Sequence, residues 1–392
     1  MRNTTVGVLL AGATCAALLY FSVEAGSQEI GTPLPRTVKA PPDNPTTAAK
    51  VDLGRLLFWD PVLSGPRDVA CATCHHPRFG YAENRDLSIG VTGEGLGHRR
   101  RFAKTGSIPL VKRNSQTILN VAFNGSGLEG EYDPAAAPMF WDVRARGLEA
   151  QALEPLKALE EMRGHTYPEE KAVETVVARL AAIPEYRRLF AAAFGGDRAV
   201  TDVNLGRALA AFQRTLTATN APFDRYLRGD RDAMSASQLR GMRRFERIGC
   251  VRCHNGPMFS DYKLHVLGVP DNPALPASDT GAGERGTGER YAFRTASLRN
   301  LAFTAPYMHS GIFATLEDVL DFYDDVDARR GDDRNPNVSR EELDPLLRQL
   351  RGVDDDDEDL LAFLEEALSD PGFDRTIPPR VPSGLPVGGR IQ

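Results

Sequence analysis

Apolar positions along this chain recur three and four residues apart, and no stretch of any length alternates as a strand would. The run ETVVARLAAIPEYRRLFAAAFGG, 174–196, reads as one helix that stops at a glycine pair. TDVNLGRALAAFQRTLTATNAPFDRYL follows with Thr201 as its N-cap, as a helix linking two halves of the chain. SASQLRGMRRFERIG, 235–249, is helical and leads into a loop with two cysteines. Further on, Thr315 and Asp318 stand at capping-box spacing, after which Leu316, Val319, Leu320 and Tyr323 share one helical face. The run VDDDDEDLLAFLEEAL, 353–368, opens on carboxylates that suit the positive end of a helix dipole, a better reading than a calcium site. PDNPALPASDTGAGERGTGER, 270–290, is rich in Gly and Pro and is expected as an exposed loop.

The N-terminus is patterned differently. Arg2 precedes the uncharged run VGVLLAGATCAALLYFSV, and Val23 and Ala25 suit the small-residue positions of a cleavage site. Residues 1–25 are therefore read as a secretory signal peptide, with an uncleaved membrane anchor as the alternative. Residues 26–50, rich in Pro and Thr, are expected as a flexible lead-in.

Composition narrows the class. The chain has 392 residues, 42% hydrophobic and 26% charged, with a net charge of −6 that gives no reason to expect nucleic acid. Of its five cysteines, Cys15 lies in the leader. The other four form two copies of Cys-x-x-Cys-His, at Cys71, Cys74, His75 and at Cys250, Cys253, His254, which start 179 residues apart. This spacing attaches a haem covalently to a chain. A zinc site needs four ligands where each motif offers three, and a dithiol redox pair leaves both histidines unexplained. The expected fold is mainly α: two cytochrome-c-like haem domains, 51–225 and 226–392, the last helix free to pack on the first.

Between and after the motifs the chain resembles the bacterial dihaem cytochrome c peroxidase and MauG family. The resemblance is carried by KRNSQTILNVAFN, FWDVRARGLEAQALEPLKALEEM, FRTASLRNLAFTAPYMHSG and EDLLAFLEEAL, and covers about 51–370. It implies that His75 and His254 ligate two c-type haem irons from the proximal side, and leaves His76 as a surface residue. It places Gln151 and Glu161, ten residues apart, over the first haem with Pro155, Glu161 serving as the acid–base group for peroxide. Many members close this haem with a histidine after Ser-Ile-Gly; here that position is Val91, which cannot ligate iron, and His98 stands seven residues on. The first haem is thus expected to be open at rest.

By the same resemblance Tyr323, nineteen residues after Thr304, caps the second haem, with Met308 and His309 as rivals. A phenolate is an anionic donor of the catalase type. Trp141 would lie between the haems and pass electrons. A calcium ion would be held by the Asn114 side chain and the carbonyls of Thr304 and Pro306, hard oxygen donors. The implied function is an exported, periplasmic peroxidase. It would act on hydrogen peroxide with a small redox protein as donor or a protein as substrate, and a homodimer is left open. The rival is a dihaem electron-transfer cytochrome without catalysis, in which both irons are closed.

Overall fold

The structure is a computed structural model, and it describes residues 30–103, 106, 108–128, 131–328, 334–354 and 357–392. The leader read at 1–25 lies outside the described residues. The helices are α1 (Ala48–Trp59), α2 (Cys71–Cys74), α3 (Leu148–Gln151), α4 (Ala172–Ala182), α5 (Pro184–Phe194), α6 (Asp202–Gln213), α7 (Pro222–Leu227), α8 (Ala236–Ile248), α9 (Leu316–Ala328) and α10 (Glu358–Leu361). Three antiparallel two-stranded ladders join β1 (Gly93–Glu94) to β2 (Arg101–Phe102), β3 (Pro138–Met139) to β4 (Ala145–Arg146), and β5 (Leu264–Val266) to β6 (Ala292–Arg294). The described chain is thus helix-rich with little sheet, and irregular segments carry much of the rest.

Local sequence accounts for most helix ends. The Thr47 hydroxyl caps α1, and Pro61 follows its C-cap, Asp60. Thr201 caps α6 by accepting from the Asn204 N–H. Ser235 and Gln238 form a reciprocal capping box on α8, which stops at Gly249 in the left-handed region. Thr315 and Asp318 exchange backbone bonds at the start of α9, as their spacing predicts.

The single helix expected over 174–196 is two helices. Pro184 lacks an N–H and pushes Ile183 to an extended conformation, φ −89° and ψ 114°, so α4 ends and α5 begins on either side of it. The link after α6 is likewise not helical; irregular residues separate α6 from α7.

Two hydrophobic cores organise the chain. One gathers Leu57, Phe58 and Trp59 of α1 with Val176, Phe190 and Phe212 of α4, α5 and α6. The other is built on edge-to-face and tilted contacts among Phe223, Phe245, Phe259 and Phe363, ring centroids 5.1–6.1 Å apart. Helix crossings in both cores admit only glycine. A methyl group on Gly54 of α1 would lie 2.0 Å from the Ala208 carbonyl oxygen of α6, and one on Gly241 of α8 would lie 1.8 Å from the Asp359 carbonyl oxygen of α10.

Three expectations change here. Residues from 30 onward in the presumed flexible lead-in are docked: Ile30 joins the second core, and the buried Leu34 donates its N–H to Asp224. The last helix packs in the second core, and it is the tail beyond it, through Phe373 and Val381, that reaches the first. The 270–290 loop is only partly exposed. Asn272 donates to Asp86 and to the Ser310 carbonyl, and Asp279 is 1% exposed against Arg113, because both carry polar groups with fixed partners across the chain.

Candidate active site

The two Cys-x-x-Cys-His motifs sit at the starts of short turns that aim their side chains the same way. In the first, the Thr73 hydroxyl accepts from the Ala70 N–H and donates to the Gly388 carbonyl, and the His75 N–H bonds to the Cys71 carbonyl. In the second, the His254 N–H bonds to the Cys250 carbonyl. Among the described residues no disulfide joins any of the four cysteines, and burial pushes the Cys71 and Cys250 sulfurs up to about 12, unlike a reactive redox pair.

The histidine of each motif is oriented by a backbone carbonyl. His75 Nδ1 lies 3.2 Å from the Tyr81 oxygen, and His254 Nδ1 lies 3.0 Å from the Phe259 oxygen. A proton on Nδ1 leaves the Nε2 lone pair for a metal, and burial lowers both pKa values so that the rings stay neutral, as ligands must be. His76 departs from the expectation of a surface residue. It is buried, its Nδ1 accepts from the Arg78 N–H, and its ring meets Trp59 edge-on with centroids 5.5 Å apart.

Both motifs open on one cavity of about 510 Å³. Its lining fits a pair of carboxylate-bearing macrocycles. Arg294 is buried there and bonds only to oxygens of neutral groups, the Phe140 and Thr295 carbonyls and Gln116, and burial lowers its pKa to about 10. Among the described residues no carboxylate pairs with it, which leaves a guanidinium suited to a haem propionate.

Glu161, Gln151 and Pro155 all line this cavity together with Cys71, Cys74 and His75. Gln151 ends α3, and Glu161 sits on a π-helical turn, Leu159–Arg163. That turn is held from below: Val91 donates its N–H to the Glu161 carbonyl at 3.1 Å, and a methyl on Gly90 would meet the Glu160 and Glu161 carbonyl oxygens at 2.2 and 2.3 Å. Val91 itself is fully buried, and His98 is exposed with its Nδ1 held 3.2 Å from Asn84, away from the cavity. Burial, reinforced by Glu160, pushes the Glu161 carboxyl up to about 7 against the pull of Arg144. A carboxyl with that pKa can take up and release a proton near neutrality.

Tyr323, Met308 and His309 line the cavity too. The titratable groups close enough to couple with the Tyr323 phenol are Cys253 and Cys250, whereas those around His309 are Asp279, Arg113 and Asp271. Tyr323 therefore stands beside the second motif, and His309 faces the 270–290 loop. The His309 ring is stacked on Phe293 with centroids 3.5 Å apart and meets Trp141 edge-on at 6.4 Å. Trp141 donates its indole N–H to the Asn114 carbonyl at 3.0 Å and accepts from the Arg294 N–H at 2.7 Å.

The three presumed calcium ligands share the same lining. The Asn114 amide nitrogen donates to the Arg85 and Asp86 carbonyls, which turns its oxygen the other way. Among the described residues, no backbone N–H bonds to the Thr304 or Pro306 carbonyl. These donors fit a hard cation.

Sequence reading missed Arg113, whose guanidinium bridges Asp142 and Asp279 at 2.7 and 2.5 Å, and it missed Arg294 and His265. Arg113 and Arg294 stand inside KRNSQTILNVAFN and FRTASLRNLAFTAPYMHSG, two segments that carry the resemblance, but only burial and partners mark them out there; His265 lies in no local motif.

Comparison with known proteins agrees with this geometry. A sequence profile described as di-haem cytochrome c peroxidase matches residues 48–232. The methylamine utilization protein MauG of Methylorubrum extorquens is 34% identical over 368 residues, 91% of this chain and 90% of that one. Cytochrome c551 peroxidase of Pseudomonas aeruginosa is 35% identical over 294 residues, 74% of this chain and 75% of that one. The crystal structure of a MauG-like protein associated with microbial copper homeostasis superposes with a TM-score of 0.67 at 28% identity, covering 86% of this chain and 95% of the other.

Proposed function

Because the chain belongs to the di-haem cytochrome c peroxidase family and is an oxidoreductase, we propose that it reduces hydrogen peroxide in the pocket between His75 and Glu161. The family implies two c-type haems; in this reading Cys71 and Cys74 hold one and Cys250 and Cys253 the other, with His75 and His254 as their proximal ligands. When bound, the haem at His75 supplies the redox chemistry that cleaves the O–O bond.

The residues of the chain manage protons and position. Ionised Glu161 takes a proton from incoming peroxide and returns it to the leaving oxygen, which departs as water. Gln151 orients the small molecule through its amide, and Pro155 closes the wall without offering a competing ligand. Trp141 lies on the path by which oxidising equivalents reach the second haem, capped by Tyr323. The reductant is a small redox protein, or a side chain of a protein substrate that is itself oxidised as it gives up the electrons. Asn114, Thr304 and Pro306 hold one calcium ion. The mature protein is periplasmic, with one haem unit over 51–225 and a second over 226–392.

The observation that carries the reading is the half-buried Glu161 carboxyl, raised to about 7, in the cavity shared with His75 while Val91 stands where a closing histidine would be. Stopped-flow mixing of the diferric protein with peroxide tests it. The rate is expected to fall as pH drops below about 7, as Glu161 takes up the proton it must lose to act as base. Glu161→Gln should slow the reaction by about 10²–10⁴-fold with the ferric spectrum unchanged. A variant as fast as the parent removes Glu161 from the chemistry. No reaction in the parent leaves the electron-transfer cytochrome.

A further inference from the structure

Beside the second motif stands a charged group with no part in the chemistry above. His265 lies on β5 and is buried. Its Nε2 is 3.0 Å from an Asp261 carboxylate oxygen, and its Nδ1 is 2.6 Å from an Asp344 carboxylate oxygen. Both ring nitrogens thus face acceptors, and a ring that satisfies both must carry a proton on each. The imidazole is a cation between two anions. Burial opposes that charge, but Asp261, the neighbouring Cys253 sulfur and Asp344 together outweigh it and carry the pKa up to about 11.

Each carboxylate is itself fixed. The remaining Asp261 oxygen accepts from the Thr295 hydroxyl and the Lys263 N–H, and the Asp261 N–H donates to the Cys253 carbonyl. The second Asp344 oxygen accepts from the Leu346 N–H, and the Asp344 N–H donates to Val266 on β5. The Cys253 sulfur, a His265 ring nitrogen and an Asp261 oxygen all lie within 4.8 Å of one another. This trio does not make a separate metal site, since both imidazole nitrogens are occupied and the sulfur belongs to the haem motif.

We propose that Asp261, His265 and Asp344 form a fixed-charge triad, net −1, that lowers the reduction potential of the second haem through its thioether edge. The inference rests on haem attachment at Cys250, Cys253 and His254. A net negative charge at that edge favours the ferric over the ferrous iron, in the same direction as an anionic Tyr323 ligand. The second haem then stays oxidised in the presence of ordinary high-potential donors. It serves as a reservoir for oxidising equivalents rather than an entry port for electrons. His265 is a positioning residue in this scheme: it holds side by side, next to the haem, two carboxylates that would otherwise repel one another.

Spectroelectrochemical titration of the holoprotein separates charge from packing. Asp344→Asn and Asp261→Asn each remove one anion and should raise the midpoint of the His254 haem. His265→Gln removes the cation from between the two carboxylates and should lower it. The His75 haem should keep its midpoint in all three variants. Loss of packing alone would move the potential the same way whichever residue is changed. Shifts of equal sign in the Asp and His variants, or no shift in Asp344→Asn, overturn the triad. A parent protein lacking a c-type haem spectrum at the second motif would instead overturn the attachment on which it rests.

Discussion

Tyr323 and Glu83 show how much one side chain owes to its surroundings. Tyr323 falls on the apolar face of α9 that the heptad-like spacing predicts, where a core tyrosine would be the ordinary outcome; its place beside Cys250 and Cys253 is what recommends it as a ligand. Electron paramagnetic resonance of the ferric protein should show one high-spin and one low-spin iron, with the low-spin signal altered by Tyr323→Phe. Alteration only by Met308→Leu would assign the thioether instead. Glu83 is 1% exposed. Burial pushes its pKa up to about 7, against the pull of Ser88 and Arg100. A carboxyl whose pKa is raised on folding favours the folded state at low pH and loses that contribution as pH rises through the raised value. Glu83→Gln should therefore raise the melting temperature relative to the parent more at pH 8 than at pH 5. An equal difference at both would mean that Glu83 is not desolvated.

At the scale of elements, the same device appears twice. Gly54 on α1 meets the backbone of α6, and Gly241 on α8 meets the backbone of α10, each at a distance that excludes a methyl. Helix axes this close bury the backbone itself and leave only hydrogen in between. Gly54→Ala and Gly241→Ala should each cost about 1–3 kcal/mol or more in unfolding free energy, since the obstacle is a carbonyl rather than a flexible side chain. Thermal unfolding checks both, and an unchanged melting temperature in either would deny the crossing. The caps at Thr201, Ser235 and Thr315 were legible because a cap is a contact between residues three apart. The division at Pro184 was legible in principle too, from the proline alone, but the apolar periodicity continues across it and masks the break.

The whole molecule is joined by buried charge as well as by apolar packing. Arg113 connects Asp142, next to Trp141, with Asp279, in the loop between β5 and β6. All three are nearly buried, and Arg113 holds both carboxyls below their ordinary pKa although burial alone would raise them. Groups depressed in this way add stability above their unfolded pKa and lose it as pH falls through the depressed value. Arg113→Ala should destabilise the protein by about 3–5 kcal/mol, because two carboxylates are left buried and unpaired. The loss should shrink below about pH 4, where both can protonate. A variant that unfolds like its parent at pH 7 would show that the network is dispensable. The C-terminal tail adds a second tie, carrying Phe373 and Val381 back to the core built by the first part of the chain.

What the sequence determined by itself is the local chemistry: two haem-attachment motifs, the helix caps, the spacing of Gln151 and Glu161, and the valine at position 91. The motifs and caps depend on residues a few positions apart, so geometry along one turn encodes them, whereas Gln151, Glu161 and Val91 take their meaning from the resemblance to the family. What the tertiary structure decided is environment. The 79 residues between His265 and Asp344, and the 166 between Arg113 and Asp279, carry no pattern that foretells a contact. The burial that lifts Glu161 toward neutrality and hides His76 is likewise a property of what packs over a residue, and only the folded chain supplies it.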